Sequence, residues 1–259
     1  MLLLGGILKN QLLAATSAVA VSMMFVAATT AADLVIPEIS GSVTSEIAEP
    51  LSWYASAKIG VALPGTISMT ATAAGLPDLT GDASFNPGVA GAVALGKYLA
   101  PNVRAEVELA IANNSGSSFT GAFAGFPGQT TGALTGSVTT TTLMAMGYYE
   151  FSQFGDFVPY LSAGAGVANV NANLTYNDPG ALGFPINGSI TGNSLVFAGR
   201  VGAGFQYALS DSIDLTADYT ALFGARANLT YTDVGGVFTR NVSAGVMGHA
   251  VAVGLKARF

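Results

Sequence analysis

Cysteine is absent from the 259 residues, and histidine occurs once. The first absence excludes disulfide frameworks, thiolate metal sites and anchoring through a lipidated N-terminal Cys; the second excludes a His-based metal cluster. Charge is scarce as well, at 9% of residues, where a soluble domain carries about 25%. An ordinary water-facing surface is therefore excluded. Acids outnumber bases to a net charge of −6, which argues against nucleic acid as a partner. Long apolar runs are missing too: past residue 33 there is no uninterrupted stretch of the ~18 residues that a membrane-spanning helix needs. Yet 51% of the chain is hydrophobic.

What is present is alternation. Apolar residues recur every second position between Gly, Ser, Thr and occasional charges, and the 33 glycines and many threonines suit strands and turns. An apolar chain without long apolar runs is expected to be an all-β, antiparallel transmembrane β-barrel. Lys9, the apolar stretch Leu12 to Ala28 and the small residues of "TTAAD" read as an export signal cleaved near Ala31 or Ala32. The alternative is an uncleaved anchor. The expected organisation is a signal peptide over 1–32, a periplasmic lead-in over 33–50 and the barrel over 51–259.

Eight strands are read, near 53–63, 88–98, 103–112, 138–151, 159–169, 195–208, 213–223 and 246–259. Short connections, "LAPN" (99–102), "SQFGDFV" (152–158) and "LSDS" (209–212), carry turn chemistry. Long ones, about 64–87, 113–137, 170–194 and 224–245, read as loops. Short turns on one side and long loops on the other predict an outer-membrane barrel with periplasmic turns and both termini in the periplasm.

Parity then divides each strand between lipid and lumen. In "VRAEVELAI" the apolar residues face out, and Arg104, Glu106 and Glu108 face in. The same count sends Lys58, Glu150, Arg200, Asp214, Asp218, Lys256 and Arg258 inward. Five cations against five anions predict a structural ion-pair network, because unpaired ions in a narrow lumen are costly. An open ion channel would more plausibly show an excess of one sign. Phe259, at the end of the closing strand, is placed at the periplasmic lipid interface, where aromatic girdles lie.

Other candidates are weaker. His249 lies on the lipid face near the outer rim, with no Ser or acid beside it to form a catalytic group. "SAGAGVA" and "GRVGAGF" carry Gly at strand spacing and lack the following helix of a nucleotide loop. No cofactor or metal site is read, and no enzymatic activity. Five Asn-x-Ser/Thr sequons, at Asn113, Asn173, Asn187, Asn228 and Asn241, are read as polar loop composition.

The stretches "WYASAKIGVALPG", "GAVALGKYLAPNVRAEVELA", "TTLMAMGYYEF" and "PYLSAGAGVA" resemble the opacity-type family of eight-stranded outer-membrane barrels. Family members often carry a polar residue where Met146 stands and a bulkier one where Ala257 stands. The terminal "GLKARF" looks like the signal read by the barrel-assembly machinery, with Gly254 and Phe259 its matching residues. The resemblance implies a non-enzymatic, monomeric protein of the Gram-negative outer membrane. It would have roles in envelope integrity and surface contact, with lipid and lipopolysaccharide around it and loops meeting an unidentified partner. Two alternatives stand beside it: a narrow porin-like channel for small or hydrophobic solutes, and a lipid-modifying enzyme.

Overall fold

The computed structural model describes residues 52–151, 156–180, 183 and 185–259. The expected signal peptide and the whole of the lead-in lie outside the described residues. Ten strand segments follow in order: β1 (Trp53–Pro64), β2 (Ile67–Thr72), β3 (Leu79–Phe85), β4 (Gly88–Ala100), β5 (Val103–Phe123), β6 (Thr130–Glu150), β7 (Phe157–Asp178), β8 (Ile186–Ala208), β9 (Ile213–Asp233) and β10 (Thr239–Arg258). All pairings are antiparallel.

These segments make a ring of eight, because β1 and β2 are successive parts of one long strand, as are β3 and β4. The first strand breaks after Pro64 and the second before Gly88, beside Pro87, where a proline removes a ladder donor. β10 closes on β1, with Tyr54 opposite Arg258 and Pro64 opposite Gly248. Closure removes the free edges that an open sheet would expose.

The strand parity read from the sequence matches the inward and outward faces in the half of the barrel that ends at Trp53 and Phe259. Four expectations about loops do not survive. Residues 64–87, 113–137, 170–194 and 224–245 are mostly strand; the breaks at 65–66 and 86–87 aside, they are joined at the tips 73–78, 124–129, 179–185 and 234–238. All five sequon asparagines consequently lie in strands, not loops. Six strands run 20 to 23 residues, about twice the 9–11 that cross a bilayer.

Outward composition divides the barrel into two halves. In the half that ends at Trp53 and Phe259, Ile59, Val93, Leu109, Leu161, Phe205 and Val253 point out and are exposed. Trp53, Tyr149, Phe157, Tyr207 and Phe259 rim that band. Along β10 the band runs from Met247 to Phe259. That is roughly a dozen residues at ~3.3 Å each on a strand tilted about 45°, close to the ~25 Å apolar height of such barrels.

Strand β7 shows how the other half differs. Its outward face changes from Leu161 and Ala165 to Asn171, Asn173, Thr175 and Asn177, while its inward face becomes Val170, Ala172, Leu174 and Tyr176. The far half is thus apolar inside and polar outside. Its core joins Met69, Ala83, Phe119, Leu134, Leu174, Ile190, Leu229 and Val242. Four of the five ladder irregularities lie where the halves meet, at Ser84/Phe85, Ser115/Ser118, Thr191/Ala198 and Ala244/Val246, and the fifth, Tyr98/Ala100, is at the near turn between β4 and β5. Bulges of this kind re-aim side chains and tighten twist.

Candidate functional site

The ten charged residues assigned to the lumen all lie on inward faces, and each makes at least one ion pair. Arg104 on β5 is at the centre. Its Nε donates to Glu150 Oε1 at 2.6 Å, and its Nη1 donates to Glu106 Oε2 at 3.1 Å and to the Tyr54 hydroxyl at 2.8 Å. The guanidinium also lies over the Tyr148 ring, 3.6 Å from its centroid. Tyr54 and Tyr148 both donate to Glu106, at 2.8 and 2.5 Å. Arg104 is therefore enclosed by two carboxylates and aromatic faces, an arrangement suited to a planar, weakly hydrated cation.

Toward the near end, Lys256 Nζ meets Asp214 Oδ2 at 3.1 Å and Glu150 Oε1 at 3.8 Å. It donates to Gln206 Oε1 and the Tyr98 hydroxyl, both at 2.5 Å. Arg258 reaches Asp214 Oδ1 at 3.2 Å. Toward the far side, Lys58 lies between Glu108 (3.4 Å) and Asp218 (3.5 Å). Arg200 pairs with Glu108, and its Nη2 donates to Thr142 Oγ1 at 2.7 Å. Tyr160 donates to Asp218 Oδ1 at 2.5 Å. Lysine, arginine and carboxylate charges interleave, so each desolvated ion faces an opposite one.

Sequence reasoning missed the tyrosines of this layer. Tyr54, Tyr98, Tyr148 and Tyr160 have the same inward parity as the charges, and that was a usable signal. Glycines make room for two of them: Tyr54 faces Gly96 across β1 and β4, and Tyr160 faces Gly204 across β7 and β8. A Cβ on Gly96 would stand 2.2 Å from Tyr54 Cζ. Met146, the departure from the family pattern, lies inward and buried, with its sulfur over Gly164. It extends an apolar cluster with Met144, Val170 and Val196 on the far side of the charges.

Between the ion pairs and the far core is a cavity of about 160 Å³ reaching from Lys58, Glu108 and Arg200 to Val138, Val170 and Val246. Beyond it the buried side chains of Leu134, Leu174, Leu229 and Ala83 fill the ring. A larger cavity of about 460 Å³ occupies the far mouth, with Met69, Phe119, Ile190 and Val242 in its lining and Leu76, Phe123, Val234 and Phe238 toward the tips. This far cup is mostly apolar, with Asn187, Asp233 and Arg240 among its lining.

The remaining sequence candidates are dispersed. His249 is beside Tyr219 on the outer face; their rings stack, and the hydroxyl lies 2.8 Å from Nδ1. Gly254 sits in β10 opposite Lys58 and Thr216. Phe259 is outward and exposed, and its N–H donates to the Trp53 carbonyl at 2.9 Å. Among the described residues no cluster of His, Cys, Asp and Glu could hold a metal ion.

A closed ring of antiparallel strands with a lipid-facing apolar band and a charge-paired lumen defines an outer-membrane β-barrel. Residues 16–259 match the outer membrane protein beta-barrel domain family, and the chain belongs to that family. It is 34% identical to outer membrane protein PagN of Salmonella typhimurium over 90 residues, 35% of this chain; the match spans only 36% of PagN. Among solved structures it is similar to OprG of Pseudomonas aeruginosa, at 16% identity over 81% of this chain and 96% of that one, with a TM-score of 0.47. It is likewise similar to Neisserial surface protein A, at 16% identity over 80% and 97%, with a TM-score of 0.41. At such identities the likeness concerns the fold.

Proposed function

We propose that this protein is a non-enzymatic barrel of the outer membrane that is closed to free solute flow, contributes to envelope integrity and carries a contact surface above the bilayer. The observation that supports this most is the filling of the lumen at two levels. Eight strands leave an interior just wide enough for side chains. Here the ion pairs about Arg104 and the packed leucines of the far half each fill that width. The balanced charge of the network suits a structural role better than an ion pathway.

In this reading, residues 1–32 are removed on export, 33–50 form a lead-in, and 51–259 make the barrel. Both termini are periplasmic. The far half then stands outside the cell, where its Thr- and Asn-rich outer face suits water. The neighbours of a monomeric barrel are lipid, lipopolysaccharide and, during biogenesis, the barrel-assembly machinery, which would read Gly254 and Phe259. One observation favours a second reading, a passage for hydrophobic solutes: the apolar far cup.

Planar-bilayer recording of the refolded barrel tests the closed-barrel reading. Small or absent conductance is the expected result, and large, steady ohmic steps would overturn the closed-barrel reading.

A further inference from the structure

The far half does what a membrane strand does not need to do. It continues the ring into water with polar residues outside and apolar residues inside, yet the inside is not filled to its mouth. A solid plug would bury more apolar surface and leave no void, since protein interiors pack to few gaps larger than a water molecule. The cup of about 460 Å³ instead lies within the range of small-molecule sites. Apolar cavities of this kind gain little from water, whose hydrogen bonds they cannot replace.

Among the described residues, two ionisable side chains capable of carrying a charge near neutral pH line the cup, Asp233 and Arg240. Asp233 is committed to its own turn: Oδ1 accepts the Phe238 N–H at 2.6 Å, and Oδ2 accepts the Gly235 N–H at 3.2 Å. Arg240 lies inward toward the mouth, with Nη1 donating to the Pro77 carbonyl at 2.7 Å and the guanidinium 5.4 Å from the Phe123 centroid. Among the described residues no carboxylate lies within ion-pair distance of it. The cup therefore offers an apolar body capped by one cation with unused donors, since a guanidinium carries five N–H groups.

We infer that the far cup binds a single-chain anionic amphiphile, its alkyl chain among Met69, Phe119 and Val242 and its carboxylate on Arg240. The packed layer about Leu134 and Leu174 stops the chain from passing deeper, so the cup holds its ligand at the surface end of the barrel. This assignment goes beyond the structural role proposed above and rests on it only in placing the far half outside the cell.

The test is photolabelling of the refolded barrel in phosphatidylcholine nanodiscs with a diazirine-bearing dodecanoic acid, mapped by mass spectrometry. Labels are expected on cup residues, with excess laurate displacing them and neutral dodecanol doing so poorly. Val242→Trp should abolish cup labelling by filling the space. Arg240→Gln should weaken it by about tenfold, the weight of one charge-assisted hydrogen bond. Unheated gel mobility checks that each variant is folded. Labels confined to the lipid-facing band of the wild-type barrel would overturn the site. Equal displacement by dodecanol, or unchanged labelling of Arg240→Gln, would overturn the anionic head group.

Discussion

Tyr54 lies across Gly96, its registered partner on β4, and spends its hydroxyl between Arg104 and Glu106, accepting from one and donating to the other at 2.8 Å each. The bare glycine surface lets the ring lie flat enough to reach the centre of the lumen. One missing side chain thus positions a buried hydrogen-bond donor for a carboxylate on another strand.

Gly96→Ala should therefore destabilise the barrel by about 1–3 kcal/mol, the usual cost of overpacking. The added Cβ displaces the ring and strands Glu106 Oε2 of one donor. In a Tyr54→Ala background the same change should cost much less, because the clash is gone. Urea titrations followed by gel mobility measure both, and strict additivity of the two changes would refute the coupling.

Arg104→Met should leave Glu106 and Glu150 facing each other without their shared cation. Removing one partner of a buried pair costs about 3–5 kcal/mol. Adding Glu150→Gln should recover part of that loss, since the orphaned charge disappears. Glu108→Ala is a second probe: it strands Arg200 and leaves Lys58 with Asp218 alone. Thermal unfolding at fixed lipid composition gives the comparison.

Protease added to intact cells should cut only at the tips, 73–78, 124–129, 179–185 and 234–238, and spare 99–102 and 209–212. Strand ladders resist cleavage because their backbone is already paired, whereas exposed tips are open. Cleavage spread across 113–123 would mean that this part of β5 is not a strand in the cell. Cleavage confined to 99–102 and 209–212 would reverse the orientation.

Deleting Phe259 should lower the folded fraction in outer-membrane preparations and leave precursor in the periplasm. The deletion removes the N–H that bonds Trp53 and an interfacial aromatic contributing roughly 1.5–3 kcal/mol. Ala257→Phe should, if anything, improve insertion by adding outward apolar area to the closing strand. Unheated electrophoresis reports both. A deletion that inserts as well as wild type would reduce "GLKARF" to an ordinary strand end.

Parity along each strand was legible in the sequence because it is local: a side chain two positions on shares its face whatever the rest of the chain does. That was enough to send Lys58, Arg104, Glu106 and the other lumen charges inward, and Val107, Leu215 and Val253 outward. The far half was not legible, because the same alternation carries reversed polarity there. Asn171, Asn173 and Thr175 interleaved with Ala172 and Leu174 look like loop composition to a reading that expects apolar residues on the outer face. Which ion meets which was beyond the sequence altogether. Arg104 meets Glu150, and Arg200 meets Glu108, through strand register and the closure of the ring, and the far cup exists only because the closed ring holds its apolar faces apart.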